Sequence, residues 1–228
     1  MIFAALGLLL IASAYLPQVW VRYVMKKHHL EQPDLPGTGG ELARHLVQRF
    51  QLEGIVVEET DEGRDHFDPT AKAVRLSPSN YHGRSVTAVA VAAHEVGHAI
   101  QCYRNETIFE LRKQYMPLAA KLSRYGVMLM MSVPIAAIVL RSPVAIGVVI
   151  GNSVIMQLLG AMAYLIVLPE EWDASFNKAL PILIEGEYIS EAQHHGARQV
   201  LKAAALTYFA GALASILNIG RWLMILRR

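Results

Sequence analysis

Cysteine is almost missing from this chain. Cys102 stands alone among 228 residues, so no disulfide can tie two parts of the fold together. It follows His98 by one helical turn, and a plain buried thiol is the expectation there, because free cysteine packs as a small hydrophobe. Charge is scarce as well. Charged residues make up 18% of the chain and the formal net charge is +2. The basic residues lie scattered, without interleaved aromatics, so no nucleic-acid partner is expected. Internal repeats and low-complexity tracts are absent, which excludes a solenoid or an array. Apolar residues, by contrast, reach 54%, above the usual share for soluble domains.

Those apolar residues come in runs. Met1 to Val21 carries no charge and is long enough to cross a bilayer as a helix. Ala12-Ser13-Ala14 looks like a signal-peptide cleavage site, but Arg22, Lys26 and Lys27 come after the apolar core rather than before it. The expectation is a retained anchor with its basic end in the cytoplasm. Pro33, Pro36, Gly37, Gly39 and Gly40 mark a linker, and a helix is expected from about Gly40 to Leu52 on the spacing of Leu42, Leu46, Val47 and Phe50. Ile55–Glu58 and Lys72–Ser77 read as two strands, with a turn-rich loop from Thr60 to Pro69 between them. They form either a packing hairpin or a small sheet whose edge strand could hold a peptide.

Further on, Tyr125 to Leu140 and Ser142 to Pro169 are uncharged and share a minimal connection at Arg141-Ser142-Pro143, so they must form an antiparallel hairpin. Ala174 to Lys202 is polar and amphipathic, with a break near Gly186, and Ala203 to Gly220 reads as another span. None of these spans has an acid near its centre, which argues against an ion-coupled transporter. The expected fold is a mainly α-helical membrane protein with about four transmembrane helices and a small α+β, zincin-like juxtamembrane domain. Its parts are an anchor over 1–25, the juxtamembrane domain over 37–115, a transmembrane hairpin over 116–168, amphipathic helices over 169–202 and a last span over 203–226.

One motif carries chemistry. H-E-x-x-H occurs once, from His94 to His98. With this composition roughly 0.02 matches are expected by chance. On a helix the two imidazoles lie one turn apart on one face, and Glu95 points about 100° away. Two neutral imidazoles can hold one zinc ion and leave room for a third ligand and a water, with Glu95 near enough to act as a base. The alternative is a pair of surface histidines. The small apolar run Ser85 to Ala93 opposes it, because buried His and Glu need partners. A chain that leaves after this helix and returns through one hairpin re-emerges on the same side. The acids it presents there are Glu170, Glu171 and Asp173, and any of the three could complete the site.

The stretch His94-Glu95-Val96-Gly97-His98-Ala99-Ile100-Gln101, then the hydrophobic hairpin, then Leu168-Pro169-Glu170-Glu171-Trp172-Asp173-Ala174-Ser175, resembles the YugP-like family of membrane zinc metallopeptidases. It is more distantly similar to the gluzincin-like HtpX and CAAX-prenyl-protease types. Asp65-His66-Phe67-Asp68-Pro69 and Leu76-Ser77 fit the first family too, and the resemblance covers nearly the whole chain. It implies Zn2+ held by His94, His98 and Glu171, with Trp172 at an aromatic position. Asp173 is then expected to orient a ligand imidazole, although the distant group has its Asp where this chain has Ser175. Glu170 is expected to be a solvated or interfacial charge.

The implied activity is an endopeptidase that hydrolyses membrane or membrane-proximal proteins with a metal-activated water and Glu95 as general base. Its expected partners are a peptide or protein substrate, the bilayer and other membrane quality-control proteins. The expected location is a bacterial inner or plasma membrane, multi-pass, with the site facing the cytoplasm; Arg221, Arg227 and Arg228 would then lie outside, against the usual bias. The rival reading is a non-catalytic adaptor whose zinc is structural, closed by Cys102, His66 or Asp173. His194 or His195 could steady an oxyanion, with Tyr188 and Arg198 as similar candidates, but solvated side chains are the plainer expectation. His66 is expected to be a hydrogen-bonded loop residue and Glu187 and Glu191 a charged face; Asp65 is given no role.

Overall fold

The computed structural model describes residues 2–211, and side chains from Tyr15 onward. Two compact units share the chain. One contains residues 111–168; the other contains residues 19–110 and 169–207 and carries the H-E-x-x-H motif.

The motif unit begins with the last turns of helix α1, Ile2–Lys27, where Val24 is buried. Helix α2, Gly39–Arg49, starts at Thr38 with a reciprocal capping box. The Thr38 hydroxyl accepts from the Glu41 N–H at 3.2 Å, and the Glu41 carboxylate accepts from the Thr38 N–H at 2.8 Å. Leu42, Ala43 and Leu46 form its buried face. A three-stranded sheet follows: β1, Val56–Glu59; β2, His66–Asp68; β3, Ala73–Leu76. Its order is β1-β3-β2, with β1 parallel and β2 antiparallel to β3, and both Val57 and Phe67 opposite Val74. Of the two readings left open, this is the small sheet and not the simple hairpin, and it has a third strand that was not expected. β2 lies inside the supposed loop, and at three residues it is too short to show an alternating pattern.

Short helix α3, Pro78–Tyr81, leads to α4, Val86–Tyr103. Ser85 caps α4 by accepting the Ala88 N–H at 3.1 Å. Every residue of α4 from Val86 to Gln101 is buried. A helix enclosed on all sides is the central rod of a core, and α2, α3 and the sheet pack around it. The start of α4 is also tied to the end of α1: the Thr87 N–H and hydroxyl donate to the carbonyls of His28, at 3.1 Å, and Met25, at 2.8 Å. Helix α5 is Thr107–Leu140 and α6 is Pro143–Trp172. A π-helical turn, Asp173–Ala179, then joins α6 to α7, Leu180–Glu185, and α8, Glu191–Ala205, closes the unit.

In the other unit α5 and α6 run antiparallel, joined by Arg141 and Ser142. The Ser153 hydroxyl donates to the Gly126 carbonyl at 2.7 Å, and Gln157 donates to Ser153 at 3.1 Å. Both helices are long and apolar enough to cross a membrane, and only 17% and 22% of their most apolar stretches are buried. Met128, Met131, Ile135, Ile138, Val144 and Val148 all face outward.

Among the described residues two helices meet that test, not four. The run Met1–Val21 falls in α1, whose side chains before Tyr15 lie outside the described residues. The run expected to start at Ala203 is cut back, since Ala203 and Ala205 are fully buried at the end of α8. Alanine suits a protein core as well as a lipid-facing helix, so an uncharged stretch alone does not separate the two. The rest of that run, from residue 212, lies outside the described residues.

Candidate metal centre

The site is built where α4 meets the end of α6. His94 and His98 stack one turn apart on α4, with ring centroids 4.6 Å apart. Their Nε2 atoms are 3.2 Å from each other, and each is 3.3 Å from Oε2 of Glu171. All three side chains are buried. A tetrahedral zinc with bonds of about 2.0–2.1 Å spaces its ligand atoms about 3.3 Å apart. The triangle of two imidazole nitrogens and one carboxylate oxygen therefore fits one face of a zinc tetrahedron. Two imidazoles and one carboxylate are a donor set that zinc takes in proteins.

The far side of each ring fixes which nitrogen faces the centre. The Ser175 hydroxyl donates to the Leu201 carbonyl at 3.1 Å, so it accepts from His94 Nδ1 at 3.0 Å. The Gln101 amide nitrogen donates to the Glu170 carbonyl at 3.0 Å and to Oδ2 of Asp173 at 2.9 Å. Its oxygen is thereby turned toward His98 Nδ1, 2.9 Å away. Oε1 of Glu170 also lies 2.9 Å from that Nδ1. In their neutral forms both rings thus carry their hydrogen on Nδ1 and turn Nε2 toward the centre. Burial opposes a charged His98. The carboxylate of Glu171, with that of Glu170, outweighs it and holds the His98 pKa well above the ordinary imidazole value.

The backbone explains how the two helices come so close. Gly97, inside the motif, faces the π-helical turn, and a Cβ there would sit 2.9 Å from the Ala174 carbonyl oxygen. In that turn the Leu180 N–H reaches back five residues to the Ser175 carbonyl. Such widened turns cluster at functional sites. Lys178, from the same turn, pairs with Asp173 and with Glu106 at 2.8 Å.

Of the residues singled out from sequence, the structure brings His94, His98 and Glu171 together. Glu95 is 8% exposed, and its carboxylate has no hydrogen-bond or ion-pair partner among the described residues. Two expectations need correction. Glu170 is not a solvated charge: it is 1% exposed and faces His98. Asp173 contacts no imidazole and instead holds Gln101, which does.

The proposed closers fall outside the three-residue cluster. His66 lies in β2 and contacts the Arg64 carbonyl, Asp173 is tied to Gln101 and Lys178, and Cys102 is half-buried. Asp65 caps the end of β3 by accepting the Ser77 N–H at 2.7 Å. Tyr188 pairs with His45 and Arg49, and His195 with Gln199. His194 and Arg198 lie on α8 and are not part of the cluster.

Gln101 and Ser175 were not assigned from sequence. Spacing held a signal for both: Gln101 is three residues beyond His98 and Ser175 four beyond Glu171, separations that share a helix face.

A buried helix bearing H-E-x-x-H, met by a carboxylate from a distant helix, is the arrangement of zinc metallopeptidases. The chain belongs to such a family: residues 2–227 match the model of the family described as "Putative neutral zinc metallopeptidase". The chain is also 32% identical to the "Putative membrane protease YugP" of Bacillus subtilis (strain 168), over 99% of its own length and 96% of that protein. No solved structure matches it. Zinc is the family's metal, and the His94–His98–Glu171 cluster could hold it. The relative's name and the two apolar helices together suggest membrane association.

Proposed function

We propose that this protein is a membrane-embedded zinc endopeptidase in which His94, His98 and Glu171 hold the metal and Glu95 is the general base. The observation that carries this reading is the triangle of ligand atoms at 3.2 and 3.3 Å, with both Nε2 atoms turned inward. When bound, zinc supplies Lewis acidity toward a peptide carbonyl and an attacking water. Glu95 takes a proton from that water and passes it to the departing amine. Glu95 follows the ligand His94 on α4, and its carboxylate, without a partner among the described residues, is available for that transfer. No residue is covalently modified. The substrates are membrane or membrane-proximal proteins, as the outward-facing apolar helices and the relative's name suggest; approach from the cytoplasmic face follows from Arg22, Lys26 and Lys27 after the first apolar run.

The test is metal content and peptide hydrolysis of the purified protein. Glu95→Gln is expected to keep zinc and lose at least a hundredfold in rate. His94→Ala and Glu171→Ala are expected to lose both. Full zinc in Glu171→Ala would remove it from the ligand set, and metal lost from Glu95→Gln would make Glu95 a ligand or a structural group.

A further inference from the structure

We propose that Glu170 is a positioning residue for His98, acting through the ring nitrogen that does not face the metal. This rests on the reading that His94, His98 and Glu171 hold zinc. Glu170 and Glu171 are consecutive, each is 1% exposed, and they face the same imidazole from opposite sides. Glu171 reaches Nε2, while Glu170 reaches Nδ1 at 2.9 Å. One ring thus has a carboxylate at each nitrogen, and only one of those carboxylates belongs to the metal-holding triangle.

A fully buried carboxylate is costly to keep charged, and it is retained where something specific offsets that cost. One partner that offsets it at Glu170 is the Nδ1–H of His98. A carboxylate accepting that hydrogen fixes the tautomer, aims Nε2 at the metal and makes the imidazole a stronger donor. Gln101 supports the same nitrogen, but with a neutral oxygen, and its amide is itself held by Asp173, which Lys178 neutralises. His94 has no such carboxylate, since its Nδ1 meets the Ser175 hydroxyl. The two ligand imidazoles are therefore unequal: His98 is the strongly supported one, and Glu170 makes the difference.

Zinc affinity measured across pH by chelator competition in detergent and compared on the high-pH plateau, where protons no longer compete, beside thermal unfolding of the metal-free protein, tests this. Glu170→Leu removes the acceptor and the charge. It is expected to weaken zinc binding about 10- to 100-fold and, because it takes one charged partner from His98, to lower the melting temperature of the metal-free protein as well. Glu170→Gln keeps an acceptor oxygen but loses the charge, and is expected to fall between Glu170→Leu and the unmodified protein. It also decides the matter if the leucine variant does not fold. Cobalt-substituted Glu170→Gln is expected to keep the visible absorption intensity of the native coordination number. Unchanged zinc affinity in folded Glu170→Gln would overturn the proposal, and a changed coordination number would make Glu170 a ligand instead. Failure of the unmodified protein to bind zinc would overturn the underlying metal-site reading, which is a different result.

Discussion

His98 titrates under two opposing influences, and the outcome sets how the site responds to pH. Burial favours its neutral form, yet the flanking carboxylates of Glu171 and Glu170 prevail, so its pKa lies well above the usual imidazole value. Metal binds only neutral imidazole, and the imidazolium here persists to higher pH than in a free histidine. Zinc must therefore displace a proton at neutral pH. Affinity is expected to rise with pH up to the raised pKa and to fall steadily below it. Calorimetric titration in buffers of different ionisation enthalpy should count about one proton released per zinc near neutrality; no release would contradict the raised value. At this scale the sequence was informative where spacing alone decides. His94 and His98 share a face of any helix, whatever surrounds it. Glu170 was misread because its environment depends on how the end of α6 meets α4, and no local pattern encodes that.

Gly97 links two elements rather than serving either one. It is the point where α4 and the π-helical turn touch, and a methyl group would push against the Ala174 carbonyl. Gly97→Ala is expected to cost about 1–3 kcal/mol through overpacking and to shift the turn that carries Ser175, lowering zinc affinity as well. Thermal unfolding and metal content check both effects, and an unchanged melting temperature would mean that the turn yields easily. The α4 helix itself was readable from its small apolar residues and its motif. The π-helical turn was not, because nothing in Asp173–Ala179 distinguishes a widened turn from an ordinary one by composition. β2 was hidden for a related reason: its pairing with β3 is a long-range choice that three residues do not announce.

For the molecule as a whole, α5 and α6 present an apolar surface that water would solvate poorly. The protein is expected to stay with membranes through alkaline carbonate washing and to need detergent for release; recovery in the wash would refute integration. A single cysteine placed at exposed Asp61, with Cys102 replaced, should react with an impermeant thiol reagent only from the cytoplasmic side if the proposed orientation holds. The hairpin of α5 and α6 was legible because long uncharged runs around Arg141-Ser142 leave few options. The span count was less so, since Ala203 and Ala205 look alike in sequence whether they meet lipid or protein.

The amino-terminal helix cannot be treated as a detachable tether. Its final turn and His28 supply the oxygens that receive both Thr87 donors, and Gly196 of α8 lies against the His28 ring. A shortened chain beginning at Glu31, the natural choice for a more tractable variant, would strip acceptors from the first turn of the rod that carries the histidines. Trimming for solubility would thus loosen the scaffold of the very chemistry such a variant was made to measure.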